Sequence, residues 1–540
     1  MEGFVGWPED VAARYRASGL WEGVTIGEMF ARSARRWPEK LALVHGEQRL
    51  TYAALLARCQ DRATRFAGFG LRPSELVLLQ LPNTIEFVVS YLALNMIGVI
   101  PVTALRAHRH AEVRHFLRAS GATAYLIPDV VGGFDFRAMA SQMRSEFPGL
   151  KHVLVAGEPA PGQLALGSLP DAPAPVAGPR PADVSTMLLS GGTTSLSKLI
   201  PRTHDDYVLN ARLCGAAAGF NERTVLMAIL PLGHNYNLAS PGMLGAFYHG
   251  GTVVLASGTN VDEVFSLVQR ERVTVIAAVV PLISNWLNSP VPDNYDLSSL
   301  KVIQNGGARL APELRGRMRE RFGCLPQEIY GTAEGLINMT RLDDPDELLL
   351  HSSGAPVCAD DEIQVLDDDG RALPDGEPGE LVTRGPYTIR GYYDAAEKNA
   401  EAFTPDGFYR MGDIVRKRGR HVFAEGRRKD FINRGGEKIS CEEIENLMFA
   451  HPKVKTATLV AMPDPVFGEK ACAFVVPHPG QHLSFDELIA FLRAQQIASF
   501  KLPERLELVS ELPVSPVGKI LKRQLREMIA AKIEQERKGS

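Results

Sequence analysis

Between residues 40 and 300 short β-branched runs alternate with longer stretches of helical spacing, and this alternation constrains the fold more than any other feature of the chain. The runs ELVLLQL, AYLIP, HVLVAG, TVLMAIL, TVVLAS and VTVIAAVV read as strands. A strand followed by a helix is the repeating unit of a parallel sheet, so the expected class is α/β with mostly parallel sheets. At 540 residues the chain is too long for one ordinary core, and several domains or subdomains are expected.

The texture changes along the chain. A Pro/Ala/Gly-rich segment over residues 158–184 reads as a surface linker between subdomains. From Glu362 to Val422 short runs are separated by turns such as DDDG, DGEPG and PDG, which predicts a small β-rich subdomain. After AEGRRKD a new unit begins, with its own helix (CEEIENLMFAHP), strands (KTATLVAMP, ACAFVVP) and a charged terminal helix. Its length of about 110 residues suits a small α+β domain. The expected division is therefore 1–428 for a large multi-subdomain N-terminal domain and 429–540 for a small, mobile C-terminal one.

Composition narrows the partners. A formal charge of -4 leaves no basic footprint for nucleic acid. Six cysteines without a C-x-x-C pair suggest free thiols in a reducing cytoplasm. The N-terminus, MEGFVGWPEDVAARYRASG, lacks the apolar core and cleavage site of a signal peptide, which also favours a cytoplasmic location. The membrane-like stretch Phe87–Leu105 is interrupted by Asn95, Gly98 and Pro101, so a buried helix ending near Gly98 and leading into a strand is expected instead of a membrane span.

Function first shows in LLSGGTTSLSKLIPRTH, residues 188–204. An apolar run ending at Leu189 is followed by Ser190, Gly191, Gly192, Thr193 and Thr194, small or hydroxylated residues that expose backbone N–H groups, and then by Lys198. Such a loop suits a polyphosphate. The spacing differs from G-x-x-x-x-G-K-[ST], so this is no Walker A loop. Downstream, IYGTAEG offers Glu334 as a hard carboxylate for Mg²⁺. YRMGDI offers Asp413 as an acceptor for ribose hydroxyls, and Arg427 and Lys519 are cations for phosphate charge. A hydrolase or metalloprotease is disfavoured, because G-x-S-x-G and H-E-x-x-H are both missing. His108, His110 and His115, interleaved with Arg106, Arg109 and Arg114, read as a solvated helix face rather than a metal site.

In the joint order of these pieces, with LSGGTT, KLIPRTHDDY, GHNYNLASPG, AEGLINMTRLDD, TRGPYTIRGYY and INRGGEKIS, the chain resembles the adenylate-forming ligases, the ANL superfamily, over essentially its whole length. It looks most like the stand-alone aryl acid adenylating enzymes, the 2,3-dihydroxybenzoate-AMP and salicylate-AMP ligases. One departure is Ser195-Leu196-Ser197 before Lys198, where the family usually has G-T-P-K or similar.

The resemblance implies a two-step reaction. An aryl carboxylate attacks the α-phosphorus of MgATP, giving an aryl-adenylate and pyrophosphate. A phosphopantetheine thiol then takes the acyl group. The acceptor implied is an aryl carrier protein acting in trans; the alternative is an aryl-CoA ligase using free coenzyme A. By the match, the loop from Ser190 to Lys198 holds the β- and γ-phosphates, and Lys519 bridges the substrate carboxylate and α-phosphate. Gly307, Tyr330, Gly331 and Thr332 line the adenine and phosphate site, Asp413 and Arg427 the ribose, and Lys429 is the hinge. For the acid, Tyr236 gives a ring face, Asn235 a donor for a 2-hydroxyl and His234 a polar group near the carboxylate. Gly306 and Gly307 let a flat ring lie against backbone, while Ser240 and Ile337 fall at the ring edge carrying the 3-substituent. Dihydroxybenzoate enzymes tend to have Ser and Val there and salicylate enzymes Cys and Leu, so both acids are expected to be activated, 2,3-dihydroxybenzoate ahead.

Overall fold

The computed structural model describes residues 1–170, 178–190, 197–427, 430–435, 437–495, 497–515 and 518–539. All six expected runs form strands, and they divide between two sheets. Leu76–Leu79, Ala124–Pro128 and His152–Ala156 join a seven-stranded sheet. Val225–Ala228, Thr252–Leu255 and Val275–Ala278 join a nine-stranded one. In the latter, six consecutive strands from Leu41–His45 to Leu325–Thr332 run parallel.

Successive side chains of a strand face opposite sides of its sheet, and here both sides are covered. Val77 and Leu79 enter the large core shared with the nine-stranded sheet, whereas Leu76 and Leu78 enter a second core with Phe116, Phe136 and Met143. Burial on both faces is why these runs are apolar without alternation. The Phe87–Leu105 stretch becomes the buried helix Ile85–Met96 and the strand Ile100–Thr103, joined through Gly98 at φ +71°. Among the described residues no helix is long and apolar enough to cross a membrane. All six cysteines are buried and free.

The turn-rich region folds as an antiparallel sheet of Glu362–Leu366, Gly379–Arg384, Tyr409–Arg418 and His421–Arg427. The last unit is a five-stranded sheet built on the Val454–Asp464/Gly468–Pro477 hairpin, with helices Cys441–Phe449, Phe485–Ala494 and Lys522–Gly539 and a core of its own. The boundary expected after residue 428, like Lys429, falls on residues outside the described ones.

Among the described residues, several contacts seat the small unit on the large one. Arg309 Nη1 meets Glu442 Oε1 at 3.2 Å, Ser284 Oγ donates to the Lys455 carbonyl, and Ser440 Oγ donates to the Glu425 carbonyl at 2.7 Å. Near the C-terminus, Ser515 and Lys519 close a turn through Ser515 N–H donating to the Lys519 carbonyl. Its Gly518 lies against Val279 of the large unit: a Cβ there would come within 2.6 Å of Val279 Cγ2.

Two expectations are corrected. The Pro-rich segment is not wholly a surface linker, since Leu166 and Leu169 are buried in the main core. The histidine cluster is not a solvated face. His108 precedes the helix His110–Ser120, accepts a hydrogen bond from the Leu105 amide at Nδ1 and packs edge-on to Phe116; burial lowers its pKa to about 4. His115 Nε2 meets the Ser197 carbonyl at 2.7 Å. Among the described residues no group of three or more His, Cys, Asp or Glu could hold a metal.

Candidate functional site

The phosphate-loop candidate is the connection of a hairpin. Val184–Leu189 and Leu199–Thr203 pair antiparallel, and the register continues to the loop ends, where Ser190 N–H donates to the Lys198 carbonyl and Lys198 N–H to Ser190 Oγ, at 3.0 and 2.8 Å. Gly191, Gly192, Thr193 and Thr194 lie outside the described residues. Lys198 Nζ stands 4.1 Å from the centroid of the Tyr392 ring. Burial lowers its pKa, and the Glu334 carboxylate opposes that shift.

Glu334 sits in the turn between the antiparallel strands Leu325–Thr332 and Gly335–Met339 and is 7% exposed. Tyr392 donates to its Oε1 at 2.8 Å. One buried carboxylate beside one ammonium suits a Mg²⁺ ion that takes its other ligands from phosphate and water.

The ribose candidates form a tight group. Asp413 and Arg427 face each other in register across neighbouring strands, and Arg427 Nε meets Asp413 Oδ1 at 2.7 Å. Tyr330 donates to the other oxygen at 2.7 Å. Burial raises the Asp413 pKa, with the Arg427 charge acting against it. The guanidinium also donates from Nη1 to the Met411 carbonyl at 3.3 Å. Gly331 pairs with Ile337, and a Cβ on it would lie 2.7 Å from Ile337 Cδ1. Thr332 Oγ1 donates to the Gly335 carbonyl within the same turn.

HNYNLASPG forms the short helix Asn235–Ala239, capped by His234, whose Nδ1 accepts from the Tyr236 amide. Burial, and then the Lys519 ammonium, lower the His234 pKa to about 4, so the imidazole is neutral at ordinary pH. Lys519 reaches from the small unit into a cavity lined by Leu230, Pro231, His234, Tyr236, Val279, Gly306 and Gly307. Its Cε lies 3.3 Å from where a Cβ on Gly307 would stand, and Gly307 has φ +85°.

The flat ring against Gly306 belongs to Tyr236 itself: a Cβ on Gly306 would lie 2.7 Å from Tyr236 Cε1. Gly306 thus gives Tyr236 the room to lie against backbone at the cavity wall. Asn235 is also more occupied than its sequence suggests. Its Oδ1 accepts from Tyr207 at 2.8 Å and its Nδ2 donates to Ser240 Oγ at 3.1 Å. Asn210 donates to the same hydroxyl at 3.0 Å. With two donors on its oxygen, Ser240 keeps its hydroxyl hydrogen for an acceptor.

Residue-by-residue reading missed Tyr392, Tyr207, Asn210 and the Arg309–Glu442 pair. Tyr392 and Tyr207 both lay inside motifs that carried the resemblance, TRGPYTIRGYY and KLIPRTHDDY, but a tyrosine in such a run carries no mark of what its hydroxyl meets.

Comparison with known proteins gives these groups a context. Residues 30–393 match the family described as AMP-binding enzyme, and residues 443–519 match the AMP-binding enzyme C-terminal domain. The chain is 44% identical to a 2,3-dihydroxybenzoate-AMP ligase of Bacillus subtilis, covering 99% of both chains. It is also 44% identical to a salicylyl-CoA synthase / salicylate adenylyltransferase of a Streptomyces species, again over 99% of each. To a salicyl-AMP ligase / salicyl-S-ArCP synthetase of Mycobacterium tuberculosis it is 41% identical, over 97% of this chain and 94% of that one. Matched by both family models and by relatives along nearly its full length, the chain belongs to the AMP-binding enzymes and is an adenylate-forming ligase.

Proposed function

We propose that this ligase activates 2,3-dihydroxybenzoate or salicylate as the aryl-adenylate and passes the aryl group to the phosphopantetheine thiol of a separate aryl carrier protein, in siderophore-type biosynthesis. The observation that carries the first step is the entry of Lys519 into the cavity beside His234 and Tyr236. An ammonium there can draw the acid's carboxylate and the α-phosphate together and stabilise charge as the carboxylate oxygen bonds to phosphorus and pyrophosphate departs. His234, neutral, orients the carboxylate by hydrogen bonding without adding a second positive charge. Asp413, with Tyr330 and Arg427 holding its two oxygens, presents remaining lone pairs to the ribose. When bound, Mg²⁺ neutralises phosphate charge, with Glu334 as its protein ligand. Closure of the small unit excludes water from a mixed anhydride that would hydrolyse.

The aryl acid assignment rests on the relatives' activities together with Tyr236, Asn235 and Ser240. Transfer to a carrier is supported by the salicyl-S-ArCP synthetase relative. The salicylyl-CoA synthase relative favours a second reading, with coenzyme A as acceptor. The test is ATP–pyrophosphate exchange with a panel of aryl acids, followed by acyl transfer to a phosphopantetheinylated aryl carrier protein and to coenzyme A. Exchange without dependence on an aryl acid refutes the first step; faster loading of coenzyme A moves the protein to the second reading.

A further inference from the structure

Tyr392 has one side chain and two charged partners. Its ring face lies under the Lys198 ammonium at 4.1 Å, and its hydroxyl donates to Glu334 Oε1 at 2.8 Å. The backbone that carries it is fastened to the supports of both partners. Ile389 N–H donates to the Glu334 carbonyl and Tyr393 N–H to the Leu199 carbonyl, next to Lys198. The Asn399 side chain completes the hold, accepting from Tyr392 N–H at 2.7 Å and donating to the Tyr392 carbonyl at 3.0 Å. Tyr409 meets the Tyr392 hydroxyl at 3.2 Å.

We propose that Tyr392 is a positioning residue that fixes the Glu334 carboxylate and the Lys198 ammonium relative to each other, and so sets how tightly the site holds magnesium-bound triphosphate. This rests on the reading of Glu334 and Lys198 as the metal and phosphate groups. The ring face attracts the cation through its quadrupole, while the hydroxyl aims one carboxylate oxygen and leaves the other for the ion. The two halves of the residue therefore serve different partners, and variants can separate them.

The test is ATP binding by titration calorimetry on the full chain without any acid, with Mg²⁺ and with EDTA. Tyr392→Phe keeps the ring and loses the hydroxyl, so affinity with Mg²⁺ falls about tenfold, as for one hydrogen bond to a charged group, while affinity in EDTA is unchanged. Tyr392→Leu also loses the ring face, so affinity falls in EDTA as well. Wild-type MgATP affinity in Tyr392→Phe, or equal losses with and without Mg²⁺, overturns the proposal. Glu334→Gln serves as the reference. If it binds MgATP like the wild type, the reading of Glu334 itself fails. If it weakens binding while Tyr392→Phe does not, only the role of Tyr392 fails.

Discussion

Gly306→Ala tests whether the cavity beside Tyr236 is where the acid binds. The backbone at Gly306 lies outside the left-handed region, so an alanine meets no conformational strain and acts through its Cβ alone. That atom would stand 2.7, 2.9 and 3.1 Å from Cε1, Cζ and Cδ1 of Tyr236. Carbon atoms in contact prefer about 3.5–4.0 Å, so the ring must retreat by roughly 0.8 Å. Tyr236 is only 7% exposed, and the space open to it is the cavity it shares with His234, Val279 and Lys519. The ring therefore moves into the room proposed for the acid. Overpacking of this kind costs about 1–3 kcal/mol, which appears as a roughly 5- to 150-fold rise in the KM for the aryl acid. Asp413, Tyr330 and Arg427 do not line that cavity, so the KM for ATP should hold. ATP–pyrophosphate exchange with each substrate varied in turn measures both. An unchanged KM for the acid, or an equal rise in both constants, would refute the placement.

Three further outcomes are expected. Lys519→Ala should lower exchange by on the order of 10²–10³ through loss of transition-state charge stabilisation, measured at saturating substrates; retention of the full rate contradicts its role. Ser240→Cys removes a strong acceptor from Asn210 and Asn235 and the donor offered to a 3-hydroxyl, so the kcat/KM ratio of 2,3-dihydroxybenzoate to salicylate should fall, and an unaltered ratio denies Ser240 a part in selectivity. Asp361 is 2% exposed and accepts a hydrogen bond from Tyr387; burial raises its pKa to about 7, so the folded state favours the protonated acid and this group's contribution is lost as pH rises from about 4 through 7. Asp361→Asn should then flatten the fall in stability over that window and gain roughly 2–4 kcal/mol at pH 8 by denaturant unfolding, whereas parallel curves for the two proteins would sink the argument.

Much of this protein was legible in its sequence. Strand and helix positions follow from local periodicity, because burial on one or two faces selects apolar residues at fixed spacing along a single element. The family followed from motifs whose order is linear, and it indicated which residues to consider around the nucleotide and the acid. Only the tertiary structure decided which sheet each strand joins. Leu41–His45 pairs in parallel with Thr252–Leu255, some two hundred residues away, and nothing in either run names the other. The same holds within the site. Glycines 306 and 307 could be read as room for a ligand, yet Gly306 receives Tyr236 and Gly307 the stem of Lys519. Asn235 could be read as a donor to substrate before Tyr207 and Ser240 were seen to hold it. Tyr392, midway between Lys198 and Glu334, had no mark at all. A residue's type sets what its side chain can bond, but its partner is fixed by which distant segments the packed core brings within about 3 Å, and that is a property of the whole fold.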